Sequence, residues 1–154
     1  MSASNFKLRR YAEADEAAAI ELWRRTWQLA YPALDFAARV DWWRERWRNE
    51  LVPSTVITIA ERDDTMLGFV TVDPQSGYLD QIVVAPETWG TPLAAALVDE
   101  AKKIAPGRLD LLVNQDNARA VRFYEKHGFV ITGADVNPRS GAPLHRMSWR
   151  AAAS

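Results

Sequence analysis

A tyrosine on the apolar face of a short predicted helix is the residue of this chain best suited to proton transfer. Ala120, Phe123, Tyr124 and His127 are spaced at i, i+3, i+4 and i+7, so they share one helical face. A phenol titrates near pKa ~10, so Tyr124 carries a proton at neutral pH. A buried hydroxyl needs a polar partner, and the alternative interpretation is a core tyrosine bonded to a backbone carbonyl.

The segment around Tyr124 has recognisable boundaries. Leu109 to Val113 is a near-continuous apolar run, typical of a strand covered on both faces. Asn117 suits the N-cap of a helix over residues 117–127, and Gly128 suits its C′ position. We expect Asn117 to cap this helix whatever else it contacts.

A second candidate site lies upstream, where a strand over residues 78–84 leads through a turn at Gly90 into a helix over about 91–105. The start of a helix presents unpaired N–H groups and partial positive charge, which suit a phosphate. Every strand-to-helix turn shares this property. The alternative is therefore that Gly90 only supplies the turn.

Two amphipathic helices and a hairpin account for most of the remaining chain. A helix over residues 15–30 carries Trp23 and Trp27 on its apolar stripe and ends at Tyr31, which precedes a proline. A second helix, about 36–50, carries Trp43 and Trp47 and is expected to break at Pro53-Ser54. The other predicted strands cover residues 6–9, 56–60, 66–72, 129–133 and 144–150.

Composition excludes several classes of protein. The chain has 154 residues, which predicts one domain over 1–154, and its net charge of −1 argues against a nucleic-acid surface. It has no cysteine, which excludes a disulfide and a cysteine nucleophile, and with two histidines we expect no metal site. The sequence has neither a membrane-length apolar run nor a signal-peptide core, so we expect a cytoplasmic protein without a membrane partner.

Residues 113–129 carry the pattern V-x3-N-x2-A-x3-Y-x3-G-F, which resembles the distal half of the acyl-coenzyme A site in the GNAT superfamily of N-acetyltransferases. The phosphate loop of that family reads Arg/Gln-x-x-Gly-x-Gly/Ala after a strand that ends in Val-x-Pro. Ala94 and the lead-in Val84-Ala85-Pro86 fit this pattern, whereas Trp89 replaces the leading residue and Pro92 replaces the central glycine. Proline has no N–H, so one phosphate donor is lost, at a cost of about 1–3 kcal/mol of binding.

The resemblance implies an α/β fold in a single acyltransferase-like domain. The expected sheet is mixed but mostly antiparallel, with about seven strands flanked by four helices, and one pair of parallel strands splays apart to hold acetyl-coenzyme A. Backbone groups of residues 82–84 would pair with the pantetheine arm like an added strand. The residues that the resemblance assigns to the cofactor are Ile82, Val83, Val84, Trp89, Gly90, Thr91, Leu93, Ala94, Asn117, Ala120 and Tyr124.

By the same resemblance, an amine attacks the thioester directly and Tyr124 protonates the leaving thiolate. A base for the acceptor ammonium is expected among Asp80, Glu61 and Asp73. Asp80 is the first candidate, because alternation along an unbulged strand would place it on the face of Ile82 and Val84. A solvated or salt-bridged aspartate is the alternative.

The first two helices wall the acceptor side in this superfamily. Trp27, Tyr31 and Trp42 are therefore the candidates for an aromatic acceptor pocket, with core packing as the alternative. The acceptor stays open between a small-molecule amine and a peptide amine, and a homodimer is compatible with the fold. Because Trp89 and Pro92 depart from the family pattern, a non-catalytic coenzyme A-sensing module on the same fold stays an alternative. Trp42 similarly leaves open a protein-interaction module.

Overall fold

The computed structural model describes residues 5–152, which form seven strands and five α-helical segments. The strands are β1 Lys7–Arg10, β2 Val56–Arg62, β3 Thr65–Val72, β4 Leu79–Val84, β5 Arg108–Asn114, β6 Val130–Val136 and β7 Pro143–Arg150. The helical segments are α1 Glu16–Ala30, α2 Val40–Arg46, α3 Val52–Ser54, α4 Leu93–Ile104 and α5 Ala118–Lys126. None of the helices in this part of the chain has the length and apolarity needed to span a bilayer.

The second predicted helix differs from expectation at its C-terminal end. A π-helical turn, Trp47–Leu51, follows α2, and α3 then continues to Ser54. Pro53 therefore does not break the helical run. It lies in the first turn of α3, one residue before the helical run ends at Ser54.

The strands form two sheets, ordered β1-β2-β3-β4 and β5-β7-β6, with antiparallel neighbours within each. The parallel strands β4 and β5 meet at a single bridge between Tyr78 and Asp110, beside a hydrogen bond from Asp110 N to Gly77 O of 2.9 Å. Beyond this bridge the described residues of the two strands separate. This arrangement confirms the expected splayed pair in a mixed α/β architecture.

Tightly packed tryptophans attach the first helices to the sheet. Trp23 of α1 stacks on Trp43 of α2 with ring centroids 4.6 Å apart, and Trp47 meets Phe69 of β3 edge to face. Trp23, Trp43 and Trp47 are all buried, as their helical spacing predicted. Trp27, one turn further along α1, remains half-buried and lies near the gap between β4 and β5.

Candidate active site

A cavity of about 690 Å³ occupies the gap beside β4, between the C-terminal end of α1, the start of α4 and one face along the whole length of α5. The gap brings together most of the residues predicted from the sequence. The predicted residues that line it are Trp27, Tyr31, Ile82, Val83, Val84, Trp89, Gly90, Thr91, Ala94, Asn117, Ala120 and Tyr124. Leu93, Asp80 and Trp42 are not part of its lining.

Tyr124 combines burial with an unpartnered hydroxyl. Its side chain is 8% exposed and contacts Phe123 and Phe129 edge to face. No group of residues 5–152 forms a hydrogen bond with its hydroxyl, so the carbonyl partner required by the alternative interpretation is missing there. Burial raises the pKa of Tyr124 above its usual value, and the phenol keeps its proton throughout the neutral range.

Asn117 caps α5 as expected. Its Oδ1 accepts a hydrogen bond from the Ala120 backbone N–H at 3.2 Å. The side-chain amide nitrogen of Asn117 has no partner among the described residues, and the residue lines the cavity. The cap therefore fixes the amide group in place while its donor side stays available to a ligand.

The register of β4 decides which of its backbone groups face the gap. Val84 pairs with Gly68, and Ala85 N donates to Leu67 O at 2.7 Å. Backbone groups alternate in direction along an antiparallel strand, so those of Val83 point to β3 and those of Ile82 and Val84 point to the gap. Ile82 thus directs both its N–H and its C=O to the cavity, and Val84 directs its N–H there while its C=O accepts from the Trp89 indole.

The turn before α4 offers fewer free donors than the sequence suggested. Thr91 N donates to Thr88 O at 3.1 Å, Leu93 N donates to Thr91 Oγ1 at 3.4 Å, and Pro92 has no N–H. Within the described chain, the unpaired backbone donors of this turn are those of Gly90, Ala94 and Ala95. Sequence reasoning missed Ala95, because helix periodicity alone does not say which first-turn amides are already used.

Trp89 lies at the edge of the gap and leaves it open. Its Nε1 donates to the backbone oxygen of Val84 at 3.2 Å. The guanidinium of Arg119, from the first turn of α5, lies over the indole at 4.4 Å from the ring centroid. The two residues therefore connect the two walls of the cavity.

Asp80 occupies a different position from the one that strand alternation predicted. The β3–β4 register shifts there, with Thr71 opposite Gln81 and Val72 opposite Leu79, so Asp80 is an extra residue in a bulge. The assumption of an unbulged strand was wrong. Both of its carboxylate oxygens accept from Arg46, at 2.8 and 2.6 Å.

The two other candidate bases have structural partners. Glu61 pairs with Arg9 at 3.1 Å and with Lys7 at 3.4 Å, and the Arg9 guanidinium lowers the pKa of this carboxyl. Asp73 Oδ1 accepts from the backbone N–H of Gln75 at 2.8 Å and closes the β3–β4 turn. Neither carboxylate lines the cavity.

A carboxylate that the sequence did not reveal lies beside the end of the cavity formed by Trp27 and Tyr31, the predicted acceptor end, and is not itself part of the lining. Trp27 and Tyr31 stack with centroids 5.7 Å apart. The Tyr31 hydroxyl donates to Asp116 Oδ1 at 3.0 Å and accepts from Asn114 Nδ2 at 2.8 Å. Asp116 lies in the polar turn before α5, and no local spacing relates it to a residue 85 positions earlier.

Two further observations concern this end. The Thr26 hydroxyl is buried in the cavity wall without a hydrogen-bond partner in the described part of the chain. Trp42, in contrast, does not line the cavity with Trp27 and Tyr31. The Arg139 guanidinium lies over its ring, 4.0 Å from the ring centroid. The structure therefore brings together two of the three predicted acceptor residues.

Comparison with known proteins decides the family. Residues 16–129 match the family described as Acetyltransferase (GNAT) family. The chain belongs to this family. It is 30% identical to the peptidyl-lysine N-acetyltransferase YjaB of Salmonella typhimurium over 140 residues, which cover 90% of this chain and 92% of that protein. It is 27% identical to the peptidyl-lysine N-acetyltransferase YiaC of Escherichia coli, over 91% and 94% of the two chains.

Solved structures share the fold of this GNAT protein. Apo YjaB from Escherichia coli superposes with a TM-score of 0.77 at 24% identity, over 96% of this chain and 99% of that one. The PaiA N-acetyltransferase from Thermoplasma acidophilum, solved with coenzyme A, superposes with a TM-score of 0.78 at 20% identity, over 94% of this chain and 98% of that one. The expected class, an acetyl-coenzyme A-dependent N-acetyltransferase, is confirmed by the family match.

Proposed function

We propose that this GNAT enzyme acetylates the primary amine of a peptidyl lysine and that Tyr124 protonates the leaving thiolate. The observation that carries the proposal is that Tyr124 lines the cavity and that its hydroxyl has no hydrogen-bond partner among residues 5–152. Because burial raises the pKa of this phenol, Tyr124 carries at neutral pH the proton that the leaving thiolate needs.

The residues of the gap fit acetyl-coenzyme A. Ile82 and Val84 have backbone groups aimed into the gap, as an extended pantetheine arm requires. Unpaired amides at the start of α4 suit a pyrophosphate. When bound, acetyl-coenzyme A supplies a thioester whose carbonyl carbon an amine attacks. Donors fixed before the reaction stabilise the negative charge that develops on the carbonyl oxygen.

The acceptor end supports an alkylammonium group. The stacked rings of Trp27 and Tyr31 offer aromatic surface to a cation, and Asp116 adds a negative charge next to Tyr31. The relatives named peptidyl-lysine N-acetyltransferases favour the same acceptor class. Asp80 remains the sequence-based proposal for the base that removes the ammonium proton.

A direct assay tests this function. Purified protein is mixed with acetyl-coenzyme A and lysine-containing peptides, and released thiol is measured. We expect Tyr124→Phe to lower kcat about 100-fold, the lower range for general-acid catalysis, with coenzyme A affinity within about twofold. Tyr11→Phe is the control, because Tyr11 is not part of the cavity lining and its hydroxyl accepts from Trp47 Nε1.

Each outcome has a separate meaning. Unchanged turnover in Tyr124→Phe removes this residue from the acid role. Thiol release with small amines but not with peptides contradicts the peptidyl-lysine acceptor. If calorimetry shows no coenzyme A binding at millimolar concentration and no turnover is seen, a non-catalytic module on the same fold is favoured.

A further inference from the structure

Arg119 is a cation in the cavity wall without an anionic partner. It is exposed, lines the cavity, and forms no ion pair with any carboxylate of residues 5–152. Its guanidinium instead lies over the Trp89 indole at 4.4 Å from the ring centroid. A cation–π contact orients a guanidinium without neutralising it, so the positive charge stays available to a ligand.

Trp89 is itself held in place. Its Nε1–H donates to the Val84 carbonyl at 3.2 Å, and its own backbone N–H donates to Pro86 O at 3.2 Å. The indole plane is therefore fixed at the start of the turn that leads into α4. Arg119 rests on this fixed plane beside that turn.

The same turn is short of phosphate donors. Pro92 has no N–H, and the N–H of Thr91 is already bonded to Thr88 O. The side chain at position 89, Arg or Gln in the family pattern, is an indole whose single donor is used on Val84. A pyrophosphate here meets fewer backbone donors and no charge from the turn itself, whereas Arg119 supplies a charge from the opposite wall.

We propose that Arg119, oriented on the indole of Trp89, binds a phosphate group of coenzyme A and replaces the donors missing from the turn before α4. The inference rests on coenzyme A binding in this cavity. Guanidinium–phosphate contacts are charge-assisted and often bidentate, which gives them both strength and direction. In this assignment Trp89 is a positioning residue and Arg119 is the ligand-contacting one.

Calorimetric titration tests the assignment with coenzyme A and with dephospho-coenzyme A, which lacks the 3′-phosphate. We expect Arg119→Ala to weaken coenzyme A binding about tenfold and to flatten its salt dependence, as loss of a charged phosphate contact requires. Arg122→Ala is the matched control, since Arg122 is exposed on the same helix and outside the cavity lining. Circular dichroism and melting of each variant verify that the fold is retained.

A double-mutant cycle isolates the role of the indole. We expect Trp89→Leu to weaken coenzyme A binding about threefold. We also expect Arg119→Ala to reduce coenzyme A affinity much less in the Trp89→Leu protein than in the wild type. Additive effects contradict the positioning role of Trp89.

The source of the phosphate follows from the two ligands. If Arg119→Ala loses affinity equally for both ligands, Arg119 contacts the pyrophosphate. If it loses affinity for coenzyme A alone, Arg119 contacts the 3′-phosphate. Equal affinities of Arg119→Ala and Arg122→Ala overturn the inference while leaving the proposed reaction intact. Absence of coenzyme A binding by the wild-type protein instead contradicts the proposed function.

Discussion

Arg46 donates from Nη1 and Nη2 to both carboxylate oxygens of Asp80, at 2.8 and 2.6 Å, and so attaches α2 to the bulge of β4. The two side chains are 22% and 10% exposed. Removing one partner of such a pair leaves a partly desolvated charge. The contact therefore has a structural role, whatever role Asp80 has in proton transfer.

We expect Asp80→Asn and Arg46→Met each to reduce the free energy of unfolding by about 1–3 kcal/mol, the range for hydrogen bonds between charged groups. Urea denaturation at pH 7 measures this loss. If Asp80 is also the base, Asp80→Asn loses turnover well beyond Arg46→Met and its pH–rate profile lacks the acidic limb. Matching losses of turnover in the two variants contradict the base role.

Two glycines with similar positive φ angles are expected to differ in their tolerance of alanine. Gly77 (φ +79°) closes the end of the gap where β4 meets β5, and an added Cβ would overlap the Arg108 backbone oxygen. Gly90 has φ +84°, but a Cβ there would meet no atom within 4 Å. We expect Gly90→Ala to lower the free energy of unfolding by about 1–2 kcal/mol, because alanine is strained in the left-handed conformation. Gly77→Ala should lower it by about 1–3 kcal/mol more, because the added methyl group overpacks the site. Equal urea midpoints for the two variants contradict the steric argument.

Local patterns predicted the parts of the site that depend on neighbouring residues. The Asn117 cap and the burial of Tyr124 follow from helical spacing and capping chemistry within eight residues of sequence. The bulge at Asp80 depends on how β4 pairs with β3, and the Tyr31–Asp116 bond joins residues from different halves of the chain. Such contacts arise from tertiary packing, and no single-sequence period encodes them.

Two buried tryptophans provide a matched test of an indole hydrogen bond. Trp47 Nε1 donates to Tyr11 Oη at 3.1 Å, whereas Trp43 Nε1 is buried without a partner in the described residues. Both indoles are almost fully buried. We expect Trp47→Phe to destabilise the protein by about 1 kcal/mol more than Trp43→Phe, because only Trp47→Phe breaks a bond. Urea midpoints measure the difference, and a larger loss for Trp43→Phe contradicts this explanation.

His127 is expected to make stability depend on pH in the range where histidine titrates. Burial, and next the charge of Lys102, lower the pKa of His127 below the ordinary ~6.5. The unfolded chain then binds more protons than the native one, so stability is full above pH ~6.5 and declines as pH falls through the folded-state pKa. Melting temperatures between pH 5.5 and 7.5 should change less in His127→Gln than in the wild type. If the melting temperature of His127→Gln changes with pH as steeply as that of the wild type, His127 is not the cause of the pH dependence.

Asp116 provides the test of acceptor recognition. Asp116→Asn removes a negative charge but keeps an oxygen that can accept from Tyr31, whereas Tyr31→Phe keeps the charge and removes the bond. If the charge attracts a lysine ammonium, Asp116→Asn raises the acceptor KM about threefold to tenfold at low salt and less at high salt, because exposed charges are screened. Tyr31→Phe should change the acceptor KM less and keep its salt dependence.

Initial rates at two ionic strengths measure both variants, with the KM for acetyl-coenzyme A as the internal control. A rise in acceptor KM that is independent of salt assigns the loss to altered shape of the acceptor end and contradicts electrostatic recognition by Asp116.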